Sequence, residues 1–190
     1  MLLHGGTGTL DADSSWGRLL PRFAARYRVV AVEHRGHGRS ANPAGRLGYD
    51  LLLDDLRALI AALGLVPTHI AGVSDGWIVA LGLGMASPEL ARTLTCVGAN
   101  YRVDEWIAAT LSVVTPERLP LDNPAWAADL ALQHDPHHAP GYWRELVRQV
   151  VAAASSGPDW TPADLARIPL PTLLIAGDDP IGNPEQQVAG

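Results

Sequence analysis

One serine stands between two glycines in the stretch Gly72-Val73-Ser74-Asp75-Gly76. It is preceded by the compact, β-branched run "THIAGV" and followed by "WIVALGLGMA". That is the strand–turn–helix setting in which Gly-x-Ser-x-Gly presents a serine hydroxyl for nucleophilic attack. The glycines answer a steric need, because strand and helix must pass close together at a turn that lifts the hydroxyl to the carboxyl edge of a sheet. The bland alternative is an ordinary Gly/Ser turn. If Ser74 attacks a carbonyl, the developing oxyanion needs N–H donors. The backbone N–H of Asp75, at the start of the following helix, offers one. The glycine turn "HGGTGT" at His4–Thr9 offers a second, at Gly6. A phosphate loop is the competing reading of that turn. A Walker loop needs a lysine, which this chain lacks, and no Gly-x-Gly-x-x-Gly fingerprint is present.

These groups must be held by elements that the hydrophobic pattern outlines. "MLL" runs into the glycine turn, and "YRVVAVE" (Tyr27–Glu33) reads as a strand ending in the loop "HRGHGRSANPAG". "LLLDDLRALIAALGL" (Leu51–Leu65) has apolar residues at helical spacing, with Gly64 near its end. Thr68–Ser74 reads as a strand and Gly76–Ala86 as a helix that lasts until Pro88. "TLTCVGA" (Thr93–Ala99) and "TLLIAG" (Thr172–Gly177) are further buried strand candidates. Strands alternating with helices imply a mostly parallel sheet with helices on both faces. The alternation lapses between about Asp104 and Pro162. That stretch holds Trp106, Trp126, Trp143, Trp160 and the cluster "HDPHHAP", and it reads as a helical insertion over the sheet.

Composition narrows the function classes. The 190 residues suit one α/β domain, and 47% hydrophobic content with a net charge of −6 describes a globular protein. An acidic chain offers no basic face for nucleic acid or an anionic membrane. The single cysteine, Cys96, sits in an apolar run as a small core residue, which fits a reducing compartment. No signal segment opens the chain and no apolar run reaches transmembrane length, so a cytoplasmic location is expected. No metal or organic cofactor is implied.

Three motifs together resemble the α/β-hydrolase superfamily: "LLHGG", "EHRGHGRS" (Glu33 standing where the family has aspartate) and "GVSDG". "GVSDG" followed by "VGANYRVDEW", and "PDWTPADLARIPLPTLLIAGDDP", look most like the valacyclovir hydrolase and biphenyl-hydrolase-like esterases. The resemblance implies a core from residues 1–104 and 162–190, a helical cap from 105–161, and hydrolysis of small-molecule esters or amides through an acyl-enzyme. It assigns Ser74 as nucleophile and an acid from "GDDPIG", with Asp179 favoured by its spacing to Ile181 and Asp178 the fallback. Asp75 corresponds to the aspartate with which the resembling esterases hold a substrate ammonium. Trp77 replaces a family glycine beside the elbow, so it should crowd the turn or face the substrate pocket.

One member of the triad is not where the family keeps it. The family's order is Ser, acid, His, yet the residues after Asp179 include no histidine. His4, His34, His37, His69, His134, His137 and His138 all come earlier, and "HDPHH" reads as a polar loop. With only three residues ahead of His4, the chain reads as an internal fragment or truncated product lacking the family's first and last strands. Weak activity is expected. A non-catalytic binding module stays open, as does a C–C hydrolase or a cofactor-free haloperoxidase on the same fold. Neither oligomeric state nor substrate identity is legible.

Overall fold

A computed structural model describes residues 1–10, 15–98 and 100–177. Among the described residues five strands form one sheet, β1 (Leu2–Leu3), β2 (Ala31–Val32), β3 (Thr68–Val73), β4 (Ala91–Val97) and β5 (Thr172–Ile175), in the order β2-β1-β3-β4-β5. Every neighbouring pair is parallel. From β1 the chain crosses to β2 on one side, then returns past β1 to build β3, β4 and β5 on the other. Strand order therefore reverses between β1 and β3, and loops leaving their carboxyl ends part there to leave a crevice. The His4–Thr9 turn follows β1 and Ser74 follows β3, so both candidate motifs open at that point.

The expected elements form with adjusted bounds. β2 pairs over two residues, not across Tyr27–Glu33, because the partner it pairs with, β1, is itself two residues long. Helix α1 (Leu20–Ala24) is a single short turn region leading into β2. Helix α2 (Tyr49–Leu63) buries Leu52, Leu56 and Ile60, one face at four-residue spacing, and stops at Gly64 in the left-handed conformation. Helix α3 (Asp75–Ala86) has no polar face and is buried continuously from Gly76 to Gly84, as its uniformly apolar sequence requires. Around it lies the main core, which includes Leu3, Ile70, Leu94 and Cys96.

Between β4 and β5 the chain is helical: α4 (Glu105–Val113), α5 (Leu119–Asp122), α6 (Pro124–His134), α7 (Tyr142–Ser155) and α8 (Pro162–Leu165). Leu119, Ala127, Leu130, Trp143 and Val147 form a second, smaller core there. The tryptophans of this stretch do not converge. Trp143 is buried in the second core and Trp126 packs on its edge, Trp160 packs on the main core, and Trp106 is exposed. Among the described residues no helix is long and apolar enough to cross a membrane.

Candidate active site

The turn between β3 and α3 is strained in a telling way. Ser74 has φ 52° and ψ −120°, and it is the only non-glycine residue with positive φ among those described. A serine held in that region is kept there by its surroundings, at a cost of order 1–3 kcal/mol. The surroundings are visible. A Cβ on Gly72 would fall 2.2 Å from the Gly76 carbonyl oxygen, and one on Gly76 would fall 2.4 Å from the Leu3 carbonyl oxygen. Strand, helix and the end of β1 thus meet backbone to backbone, and Ser74 is left exposed at the crest. Its amide donates to the Val97 carbonyl at 3.0 Å, while its hydroxyl has no hydrogen-bond partner among the described residues.

The turn after β1 closes against this crest. A Cβ on Gly5 would meet the Ser74 Cβ at 3.1 Å. A Cβ on Gly6 would lie 2.0 Å from Asp75 Oδ2, so the carboxyl group occupies the space a side chain there would need. Asp75 is the first residue of α3, and its N–H is one of the helix's unpaired N-terminal donors. Its side chain turns toward α2, where the Tyr49 hydroxyl donates to Asp75 Oδ1 at 2.7 Å. Burial raises the Asp75 carboxyl above the ordinary carboxylate range, against the opposing effect of that hydrogen bond. Burial and the neighbouring Asp75 likewise hold the Tyr49 phenol far above its usual value. A cavity of about 10 Å³ between them is lined by Gly6, His37, Tyr49, Asp75 and Val150.

Histidines crowd beneath the turn. His4, His34, His37 and His134 are all buried, and their rings stack edge-on or tilted, with centroids 4.4 Å apart for His4–His34, 4.9 Å for His4–His37 and 5.8 Å for His37–His134. Desolvation lowers all four below the ordinary imidazole value, His34 to about 3 and His134 to about 4. None bonds to Ser74. The "HDPHH" cluster is corrected in part: His137 is exposed, but His134 is fully buried. The spacing of Ala127, Leu130 and His134, one inward face of α6, was the available signal. No spacing rule would have paired Tyr49 with Asp75.

The remaining candidates are placed as follows. Trp77 is 3% exposed in the main core, and its indole N–H has no partner among the described residues. Glu33 takes the Arg39 guanidinium at 2.9 and 3.0 Å and the Arg39 amide at 3.0 Å. Burial works against its ionisation, yet Arg39 holds the carboxyl below its usual value. Burial pushes the Cys96 thiol up to about 12, so it is inert. Asp178 and Asp179 lie outside the described residues. A cavity of about 400 Å³ lies between β2 and α2 and is lined by Leu3, Glu33, His34, Arg35 and Leu56 among others, without Ser74.

Comparison with known proteins agrees with this geometry. A protein of Azorhizobium caulinodans provisionally named carbamate hydrolase is 29% identical over 198 residues, covering 94% of this chain and 72% of that one. A 2-hydroxy-6-oxo-6-(2'-aminophenyl)hexa-2,4-dienoic acid hydrolase of Metapseudomonas resinovorans is 23% identical, covering 94% and 67%. The crystal structure of NosK from Streptomyces actuosus superimposes with a TM-score of 0.74 at 26% identity, covering 93% of this chain and 74% of that one. A family model described as "Alpha/beta hydrolase family" matches residues 1–190, and with the elbow, the facing glycine turn and the parallel sheet in place, this chain belongs to the α/β-hydrolase family.

Proposed function

We propose that this chain carries the nucleophile half of a serine hydrolase site acting on small carboxylic esters or amides through an acyl-enzyme. The strained, exposed Ser74 is the observation that carries the reading: a turn residue without chemistry to do gains nothing from φ 52°. Ser74 Oγ attacks the acyl carbon, and the amides of Gly6 and Asp75 receive the negative charge on the carbonyl oxygen. Asp179, or Asp178 in its place, is the acid of the proposed triad. The packing of Trp77 supports a core role for the indole in place of a substrate contact. The helices from α4 to α7 are the proposed cap.

No described imidazole reaches Ser74, so both acylation and deacylation should be slow in the 190-residue chain. Slow deacylation makes the intermediate trappable. After incubation with p-nitrophenyl acetate, peptide mass spectrometry should find the acetyl group on Ser74, and Ser74→Ala should remove it. Acetylation only elsewhere, or none, would sink the reading. The missing imidazole contact favours a second reading, a non-catalytic binding module, which predicts ligand binding at the crevice without any adduct.

A further inference from the structure

Three consecutive carbonyls of the turn after β1 each face a different imidazole. Gly5 O lies 2.6 Å from His4 Nδ1, Gly6 O lies 2.6 Å from His37 Nε2, and Thr7 O lies 3.1 Å from His134 Nε2. Two of the tautomers follow from the opposite ring nitrogens. His4 Nε2 accepts the His34 amide at 3.0 Å, which leaves its proton on Nδ1 to donate to Gly5 O. His134 Nδ1 accepts the Gly38 amide at 3.0 Å, which leaves its proton on Nε2 to donate to Thr7 O. His37 meets carbonyls on both sides, with Arg35 O at 3.0 Å, and the shorter contact marks Gly6 O as its acceptor when the ring is neutral.

A peptide unit is planar and trans, so pinning its carbonyl also fixes the direction of the N–H on its other side. The Gly5 carbonyl belongs to the peptide whose N–H is that of Gly6, and the Gly8 amide closes the turn by donating to the same oxygen at 3.0 Å. Donation to a carbonyl also polarises its amide and strengthens that amide as a donor. The outermost grip comes from α6, not from the sheet. His134 holds Thr7, while its neighbour Gln133 accepts from the Thr9 hydroxyl at 2.9 Å.

We infer that His134 is a positioning residue through which the helical layer orients the oxyanion turn of the Ser74 site. The inference rests on the proposed hydrolase reading for its consequence in binding, but the clamp itself is testable without it. The Thr7 carbonyl that His134 holds shares its peptide with the Gly8 N–H, which donates to Gly5 O. Through that relay helix α6 bears on the direction of the Gly6 N–H, so a shift of α6 relative to the sheet changes the site without touching Ser74.

The two isosteric amides separate the two bonds that His134 makes. In His134→Asn the side-chain oxygen can still accept from Gly38 but nothing reaches Thr7 O. In His134→Gln the amide nitrogen can still donate to Thr7 O while Gly38 loses its acceptor. Each variant forfeits one hydrogen bond, so their thermal midpoints should fall by similar amounts. Phenylboronic acid is the probe. Ser74 Oγ adds to boron, its proton passes to solvent, and the tetrahedral boronate anion that results puts an oxygen where the carbonyl oxyanion would stand. His134→Asn should bind it about tenfold more weakly, a fraction of the 10²–10³ lost in kcat when an oxyanion donor is removed outright. It should also exchange the Gly8 amide hydrogen, which shares a peptide with the Thr7 carbonyl and is bonded to Gly5 O, at least several-fold faster, and His134→Gln should recover most of both. Equal boronate affinity and equal exchange in Asn and Gln variants overturns the inference. If the unmutated chain binds no boronate at all, the hydrolase reading fails, and the exchange comparison alone still decides the clamp.

Discussion

Four neutral imidazoles in one buried cluster give single residues an influence on the response to acid. Each has a folded value below its ordinary 6.5, with His34 at about 3 and His134 at about 4. As pH drops beneath 6.5 the unfolded chain takes up protons that the folded chain refuses. Their contribution to stability is therefore full above 6.5 and is lost progressively as pH falls toward the folded values. The limiting slope is at most ~1.4 kcal/mol per pH unit for each of His34 and His134, whose windows reach down to about 3 and about 4. Asp75, whose carboxyl is raised, acts in the opposite sense, since its stabilising effect is greatest at low pH and fades as pH rises. One raised carboxyl does not offset four lowered imidazoles. The urea midpoint should fall steeply between pH 6.5 and 4.5, and a flat profile there would show that the cluster admits protons or water. At this scale the local pattern was enough to put Ser74, Gly6 and Asp75 in two glycine-flanked turns, which the fold brings face to face. It was silent on Tyr49 and misread His134, because their partners lie 26 and 96 or more residues away and no local pattern encodes such contacts.

At the scale of elements, the strands and helices around the elbow were readable because their patterns are pure: an alternating, β-branched β3 and an α3 with no polar face. β2 was overread, since strand propensity continues through Tyr27–Val30 but its partner strand does not. The same close packing that makes α3 recognisable makes it intolerant. Gly72→Ala places a methyl group 2.2 Å from the Gly76 carbonyl oxygen, and backbone on both sides cannot yield without opening the elbow. We expect a loss of roughly 3 kcal/mol or more, at the upper end of the range for overpacked sites. Gly157→Ala, where nothing lies within 4 Å of the new methyl, is the matched control and should change stability by less than about 0.5 kcal/mol. Equal denaturation midpoints for the two variants would contradict the backbone contact between β3 and α3.

Taken whole, the molecule sets an exposed Ser74 against the glycine turn after β1, and among the described residues no imidazole is bonded to it. Loss of a triad member leaves residual catalysis of roughly 10³–10⁴-fold over water, supplied by oxyanion stabilisation and binding. On the proposed hydrolase reading, with no described imidazole at Ser74, the 190-residue chain should hydrolyse p-nitrophenyl esters slowly, and Ser74→Ala should lower that residual rate only modestly. Fast turnover abolished by Ser74→Ala would require an internal histidine to reach the hydroxyl. His138, whose Nε2 is buried without a partner among the described residues, would be the first to replace. The reversal of strand order carries a different consequence, for the order in which the molecule comes into being. Leu3 pairs with Gly72, so the two halves of the crevice meet only when a loop of nearly seventy residues closes. Such a parallel, non-local pairing is bought with chain entropy before any local contact repays it, and it forms late. A ribosome-bound chain whose β3 is still in the exit tunnel has the glycine turn but no crest for it to face, so reactivity at Ser74 would serve as a clock for completion of the sheet.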